Sequence, residues 1–137
     1  TIDEHALYSH NTELELEIIP QIDTIGSIDI RQPERKWLKD AFIKKIRVPA
    51  LSADCALKKY HITNVDILKI DIEGAEWLVL SNFTLWSSVK RIVLEWHSQD
   101  IRSKIIQLLY DHGFTMLRED SAPGDYYGEG YFCRRQD

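Results

Sequence analysis

Asp71, Glu73 and Glu76 stand within six positions of one another, and Glu95 and His97 stand two apart about twenty residues later. Each group follows an apolar run. Val65–Ile72 is nearly continuously apolar, the pattern of a strand buried in a parallel sheet, and Arg91–Trp96 reads as a second strand. In open α/β sheets ligands bind beyond the carboxyl ends of the strands. If the two strands are neighbours, as sequential strands often are, one histidine and several carboxylates meet at one rim. Converging carboxylates raise one another's pKa, which is how a rim obtains general bases near neutrality. The same residue types also suit a plainer role, with Asp71 and Glu73 capping the next helix through its free N–H groups and His97 opening a loop.

The elements that must position these groups follow from periodicity. Ser52 or Asp54 caps a helix through about His61, and Glu73-Gly74-Ala75-Glu76 turns the chain into a short helix from Trp77 to about Leu80. Ser98 or Asp100 opens a helix whose Ile101, Ile105, Leu108 and Leu109 lie on one face and which Gly113 stops. Phe114–Arg118 reads as a third strand. After the turn-like Ala122-Pro123-Gly124-Asp125, Tyr126–Arg134 reads as a fourth that returns antiparallel, with Gly128-Glu129-Gly130 as a turn or bulge. Strands alternating with helices predict an α/β fold with a mostly parallel sheet. The segment before residue 48 is mixed. Glu13–Ile19 alternates like an edge or hairpin strand, Asp23–Pro33 is loop with a short strand at Ile28–Ile30, Glu34–Lys45 is a short helix, and Ile46–Pro49 is a brief extended stretch. The expected division is therefore a variable 1–47 and a core over 48–137, within one domain.

Composition excludes several functions. Against 17 Lys and Arg stand 22 Asp and Glu, a net charge of −5, so no broad basic face exists for nucleic acid. No apolar run reaches the roughly 18 residues of a membrane span and the acidic start is unlike a signal peptide, so a soluble, cytoplasmic protein is expected. Cys55 and Cys133 have no ligand spacing and read as reduced, partly buried thiols. Trp37, Trp77, Trp86 and Trp96 read as core, with Trp96 the exception to weigh because it adjoins Glu95 and His97. The basic residues Arg31, Arg35, Lys36, Lys39, Lys44, Lys45 and Arg47 read as a solvated helix face, and His5, His10, His61 and His112 as surface or capping groups. No His-x-His or His-x-x-x-His spacing occurs, so no metal is expected. A metal-binding hydrolytic site built from Asp71, Glu73, Glu95 and His97 is the second reading, and a catalytically silent interaction module the third.

The spelling Leu68-Lys69-Ile70-Asp71-Ile72-Glu73-Gly74-Ala75-Glu76 closely resembles the L-K-I-D-x-E-G-x-E segment of the FkbM family of S-adenosylmethionine-dependent methyltransferases. Val48-Pro49-Ala50-Leu51-Ser52-Ala53-Asp54 resembles that family's V-P-x-x-[ST]-L-D approach, with Ala53 in place of leucine. Ile92–His97 resembles its following strand, and the closing aromatic segment with Arg134-Arg135 fits as well. Gly26-Ser27 matches the family's Gly/Ser-rich loop weakly. The likeness spans about Asp23–Arg135.

The resemblance implies the C-terminal part of a Rossmann-like class I methyltransferase fold, mostly parallel with a final antiparallel strand. It implies transfer of a methyl group from S-adenosylmethionine to a small-molecule or glycan acceptor, often at a sugar hydroxyl. Asp71, Glu73 and His97 would be catalytic, with His97 the proton acceptor. Glu95 and Trp96 would meet the acceptor, and Asp71 with Ile72 would hold part of the cofactor. Glu76 is expected to be a salt-bridge or capping group. One departure is large: the six glycines at 26, 74, 113, 124, 128 and 130 include no glycine-rich strand-to-helix turn for the adenosine end. The chain is thus expected to be a fragment that lacks the cofactor-cradling half. It would leave the edge of the Val65–Ile72 strand open to the Glu13–Ile19 strand, to aggregation or to a second copy in a homodimer.

Overall fold

A computed structural model describes residues 2–20, 26–27, 42–121 and 127–135. Two four-stranded sheets organise them. The first is made of β1 (Ala6–Tyr8), β2 (Thr12–Ile18), β3 (Gly26–Ser27) and β4 (Lys44–Ser52), in the order β1-β4-β2-β3. The second is made of β5 (Leu68–Ile70), β6 (Arg91–Trp96), β7 (Phe114–Asp120) and β8 (Gly128–Arg134), in the order β5-β6-β8-β7. Helices α1 (Ala53–Lys59), α2 (Glu76–Leu80) and α3 (Gln99–Asp111) connect them, with a 3₁₀ turn at Trp86–Ser88. No helix among the described residues is long and apolar enough to cross a membrane.

The first sheet corrects the reading of the N-terminal third. β2 forms the hairpin that its alternation allowed, antiparallel to the next strand β3, but it is not an edge, because β4 pairs antiparallel along its other side, where acidic positions meet basic ones. Glu17 is opposite Lys45 and Glu15 opposite Arg47 in register, and Lys45 Nζ reaches Glu15 at 2.8 Å and Glu17 at 3.8 Å. Lys44, Lys45 and Arg47 are therefore strand residues, not a helix face, with Lys45 and Arg47 opposite carboxylates and Lys44 opposite Ile18. β4 also runs through positions 47 and 48, so the expected division there falls inside a strand. The rest of the Glu34–Lys45 helix, the Ile28–Ile30 strand, Arg31, Arg35, Lys36, Trp37, Lys39 and the Ala122–Asp125 turn lie outside the described residues.

In the second sheet β5 pairs parallel with β6, while β8 inserts between β6 and β7 antiparallel to both. β5, β6 and β7 therefore point one way and β8 the other. The final strand is thus the antiparallel one, as expected, but because it lies between β6 and β7 rather than at the edge, two of the three ladders here are antiparallel. The strand expected over Val65–Ile72 narrows to β5, preceded by a single bridge from Val65 to Val89. The outer edge of β5 has no strand partner among the described residues, and β2 does not supply one.

The core gathers Ile70, Leu80, Trp86, Ile92, Leu94, Trp96, Ile105, Leu109, Phe114 and Phe132. α3 buries Ile105 and Leu109, starts where Ser98 Oγ accepts from Ile101 N at 3.1 Å, and stops before Gly113 at φ 83°, where a side chain would be strained. Gly128 and Gly130 form no turn: both lie within β8, opposite Trp96 and Leu94 of β6. A Cβ on Gly130 would fall 2.7 Å from both Trp96 Cζ3 and Phe132 Cε2, so the glycine makes room for two core rings. Both cysteines are free and partly buried, as their spacing indicated.

Candidate functional site

The parallel register of Ile70 with Leu94 brings the ends of β5 and β6 level, so the residues just past each strand share a rim. Asp71 and Glu73 follow β5, and His97 follows β6 directly. Between β5 and α2 the chain reverses in a tight turn closed by Ala75 N donating to Ile72 O at 3.3 Å. Its central residues Glu73 (φ 54°) and Gly74 (φ 105°) are both left-handed. Glycine adopts this freely, whereas for Glu73 it costs on the order of 1–3 kcal/mol, a strain held here against the site.

Glu76, the first residue of α2, is the hub. It is completely buried, and its Oε1 accepts from Gly74 N at 2.9 Å and from His97 Nδ1 at 2.9 Å. One carboxylate oxygen thereby fixes both the turn and the imidazole. Its other oxygen, Oε2, is buried with no hydrogen-bond partner. His97 is only 7% exposed, and its Nε2 lies 3.5 Å from Glu73 Oε2. Asp71, Glu95 and His97 each offer a ligand atom within 4.8 Å of the others. Glu95 is also in register with Glu129 of β8, whose Oε2 accepts from Tyr131 Oη at 2.9 Å.

These surroundings shift two groups. For His97 burial pulls the imidazolium down, but the hydrogen bond and charge of Glu76 and the charges of Glu73 and Glu95 outweigh it, so its pKa lies above the ordinary histidine value. Glu95 is raised by burial first and then by the charges of Asp71, Glu129 and Glu73, against an opposing pull from His97. A raised folded-state pKa means that the folded chain binds its proton more tightly than the unfolded chain. The stability His97 contributes is therefore complete below its unfolded value and lost as pH rises through its folded value. Glu95 acts in the same sense at lower pH, above the usual carboxylate range. Urea midpoints of the wild-type chain should thus fall as pH rises through the His97 titration, and a Glu76→Gln variant should show a shallower fall.

The structure brings Asp71, Glu73, Glu95 and His97 to one rim, as their spacing suggested. Trp96 requires a correction: alternation along β6 turns its ring away from Glu95 and His97 into the core, where it has no exposed surface to offer an acceptor. Arg102 stacks over that ring at 5.6 Å while bonded to Glu119 at 2.8 and 2.6 Å. Ile72 is half-buried and packs against the core. Glu76 is more than the expected capping group, since it holds the histidine. Its burial had one sequence signal, a carboxylate opening a helix that otherwise reads Trp-Leu-Val-Leu. Glu129 had none, because strand register is not written in β8.

Comparison with known proteins identifies the family of the chain. The family model described as the methyltransferase FkbM domain matches residues 5–116. The chain is also 37% identical over 81 residues to the methyltransferase sdnD of Sordaria araneosa. That match takes in 56% of this chain and 30% of the length of sdnD. No solved structure matches the chain.

Proposed function

The chain belongs to the FkbM methyltransferase domain family, and from that premise we propose that it forms the acceptor side of an S-adenosylmethionine-dependent methyltransferase acting on a hydroxyl oxygen of a sugar or other small molecule. The observation that carries this reading is the Glu76–His97–Glu73 arrangement. A neutral hydroxyl is a poor nucleophile and must lose its proton as the new bond forms. Glu76 anchors His97 through Nδ1, so Nε2 and Glu73 Oε2, 3.5 Å apart, form a pair between which that proton can be received. The left-handed Glu73 sets its carboxylate in that position at the expense of backbone strain.

The rim suits the donor end of the cofactor, because its carboxylates match a cationic sulfonium. S-adenosylmethionine, when bound, supplies an activated methyl group. Asp71 and Ile72 lie just past β5, and we assign them to the donor-methyl end of the cofactor, where Asp71 borders both cofactor and acceptor. Glu95, half-buried beside the more exposed Asp71, is left to hydrogen-bond neighbouring hydroxyls of a polyol and align the reacting oxygen.

The test is methyl transfer from methyl-labelled S-adenosylmethionine to a panel of sugars and polyols. Label should appear in a base-stable methyl ether, and Glu73→Gln and His97→Gln should each lower kcat by about 10²–10⁴-fold. Transfer only to nitrogen or carboxylate acceptors, or full activity in both variants, would overturn the assignment.

A further inference from the structure

We infer that Asp71, Glu95 and His97 form a binding site for a divalent cation. Their presentation follows from backbone geometry. Glu95 and His97 are two residues apart at the end of an extended strand, which turns both side chains to one side. The register of β5 with β6 sets Asp71 beside them. The three donor atoms already lie within 4.8 Å of one another. Around a cation with ligand distances of about 2.0–2.2 Å, donors sit about 3 Å apart, so small rotations of exposed Asp71 and half-buried Glu95 close the set.

Two further observations point to a cation rather than to an incidental cluster. His97 is more than nine-tenths buried and its Nδ1 is taken by the wholly buried Glu76, so Nε2, which faces Glu73 Oε2 at 3.5 Å, is the ring atom that would ligate. A carboxylate behind a ligating imidazole is the usual outer partner of a metal-bound histidine, fixing its tautomer and strengthening the ligand. The charge is also lopsided. Asp71, Glu73, Glu76 and Glu95 gather around one imidazole, Lys69 lies 3.5 Å from Asp71, and Glu76 keeps one buried oxygen without a partner. One imidazole with two carboxylates favours a first-row dication such as Mn²⁺ or Zn²⁺ over Ca²⁺.

Cation binding stands on this geometry alone. Its use rests on the methyltransferase reading: with a cation on Nε2, His97 would serve as a ligand and the acceptor's proton would pass to Glu73 alone, whereas in the cation-free chain the pair receives it. The probe is Mn²⁺, added to the 137-residue chain and followed by thermal unfolding and by paramagnetic broadening of amide signals. A saturable rise in Tm is expected, with broadening centred on residues 71, 95 and 97. Asp71→Asn, at an exposed position, should weaken binding at least tenfold, and Glu76→Gln, which removes the charge behind His97, by about 10–100-fold. Absence of saturable broadening at millimolar Mn²⁺, or unchanged affinity in an Asp71→Asn, Glu95→Gln double variant, overturns the site. Neither readout involves methyl transfer, so failure here leaves the proposed function standing, and failure of the methylation assay leaves this site standing.

Discussion

Replacing Glu76 with alanine is expected to lower the unfolding free energy by about 3–5 kcal/mol, the range seen when one partner of a buried charged pair is removed. The residue is wholly buried, and its Oε1 satisfies both the Gly74 N–H and His97 Nδ1. Alanine leaves both donors without an acceptor in a site too enclosed for water to replace it freely, and each such loss costs about 1–3 kcal/mol. Relief of the unpartnered Oε2 offsets part of this. Glu76→Gln keeps the shape and one acceptor oxygen, so its cost should be smaller while its electrical effect is large. Without the Glu76 charge, burial dominates at His97 and the histidine pKa should drop. Urea denaturation measures the first effect and NMR titration of the His97 ring the second. A Glu76→Ala loss under about 1 kcal/mol would show that the carboxylate is not the hub of the rim.

Trp96→Ala should be comparably severe, at about 3–5 kcal/mol, because it removes a fully buried ring from the centre of the core. Gly130→Ala should cost about 1–3 kcal/mol for the opposite reason, overpacking. Its new methyl would sit 2.7 Å from Trp96 Cζ3 and 2.7 Å from Phe132 Cε2. The two substitutions therefore couple. In the Trp96→Ala background the vacated ring space accepts the new methyl, so the double variant should be less destabilised than the sum of the singles. Chemical denaturation of the three variants supplies the cycle, and strict additivity would show that the glycine is not accommodating the ring. The site should suffer as well, since Trp96 lies between Glu95 and His97 in the chain and anchors the end of β6 that presents both.

Much of this was legible in the sequence, for identifiable reasons. Ile101, Ile105, Leu108 and Leu109 could only share a face on a helix, and Ser98 and Gly113 mark its ends with groups that satisfy or release the backbone. The nine residues Leu68–Glu76 hold strand, turn and helix start in one local stretch, so both the elements and the family likeness were readable there. The N-terminal sheet was less legible. Extended Lys44–Ser52 and alternating Thr12–Ile18 become partners through contacts about thirty residues apart, and the opposite charges that fasten them look, read along the chain, like separate solvated faces. The side on which β8 enters was equally hidden, as was the reason for its two glycines, which answer to a tryptophan more than thirty residues away.

By itself the sequence determined which residue types are available for chemistry, which local elements present them and which family they spell, because helix periodicity, capping and the Leu68–Glu76 motif are short-range properties. Only the tertiary structure decided that Trp96 belongs to the core, that Glu76 is buried behind His97, and that Asp71, Glu95 and His97 converge within 4.8 Å. Burial and convergence depend on strand order and register, which arise from pairing between distant segments. A carboxylate's environment, and with it the charge state and role of its neighbours, exists only once those segments have met.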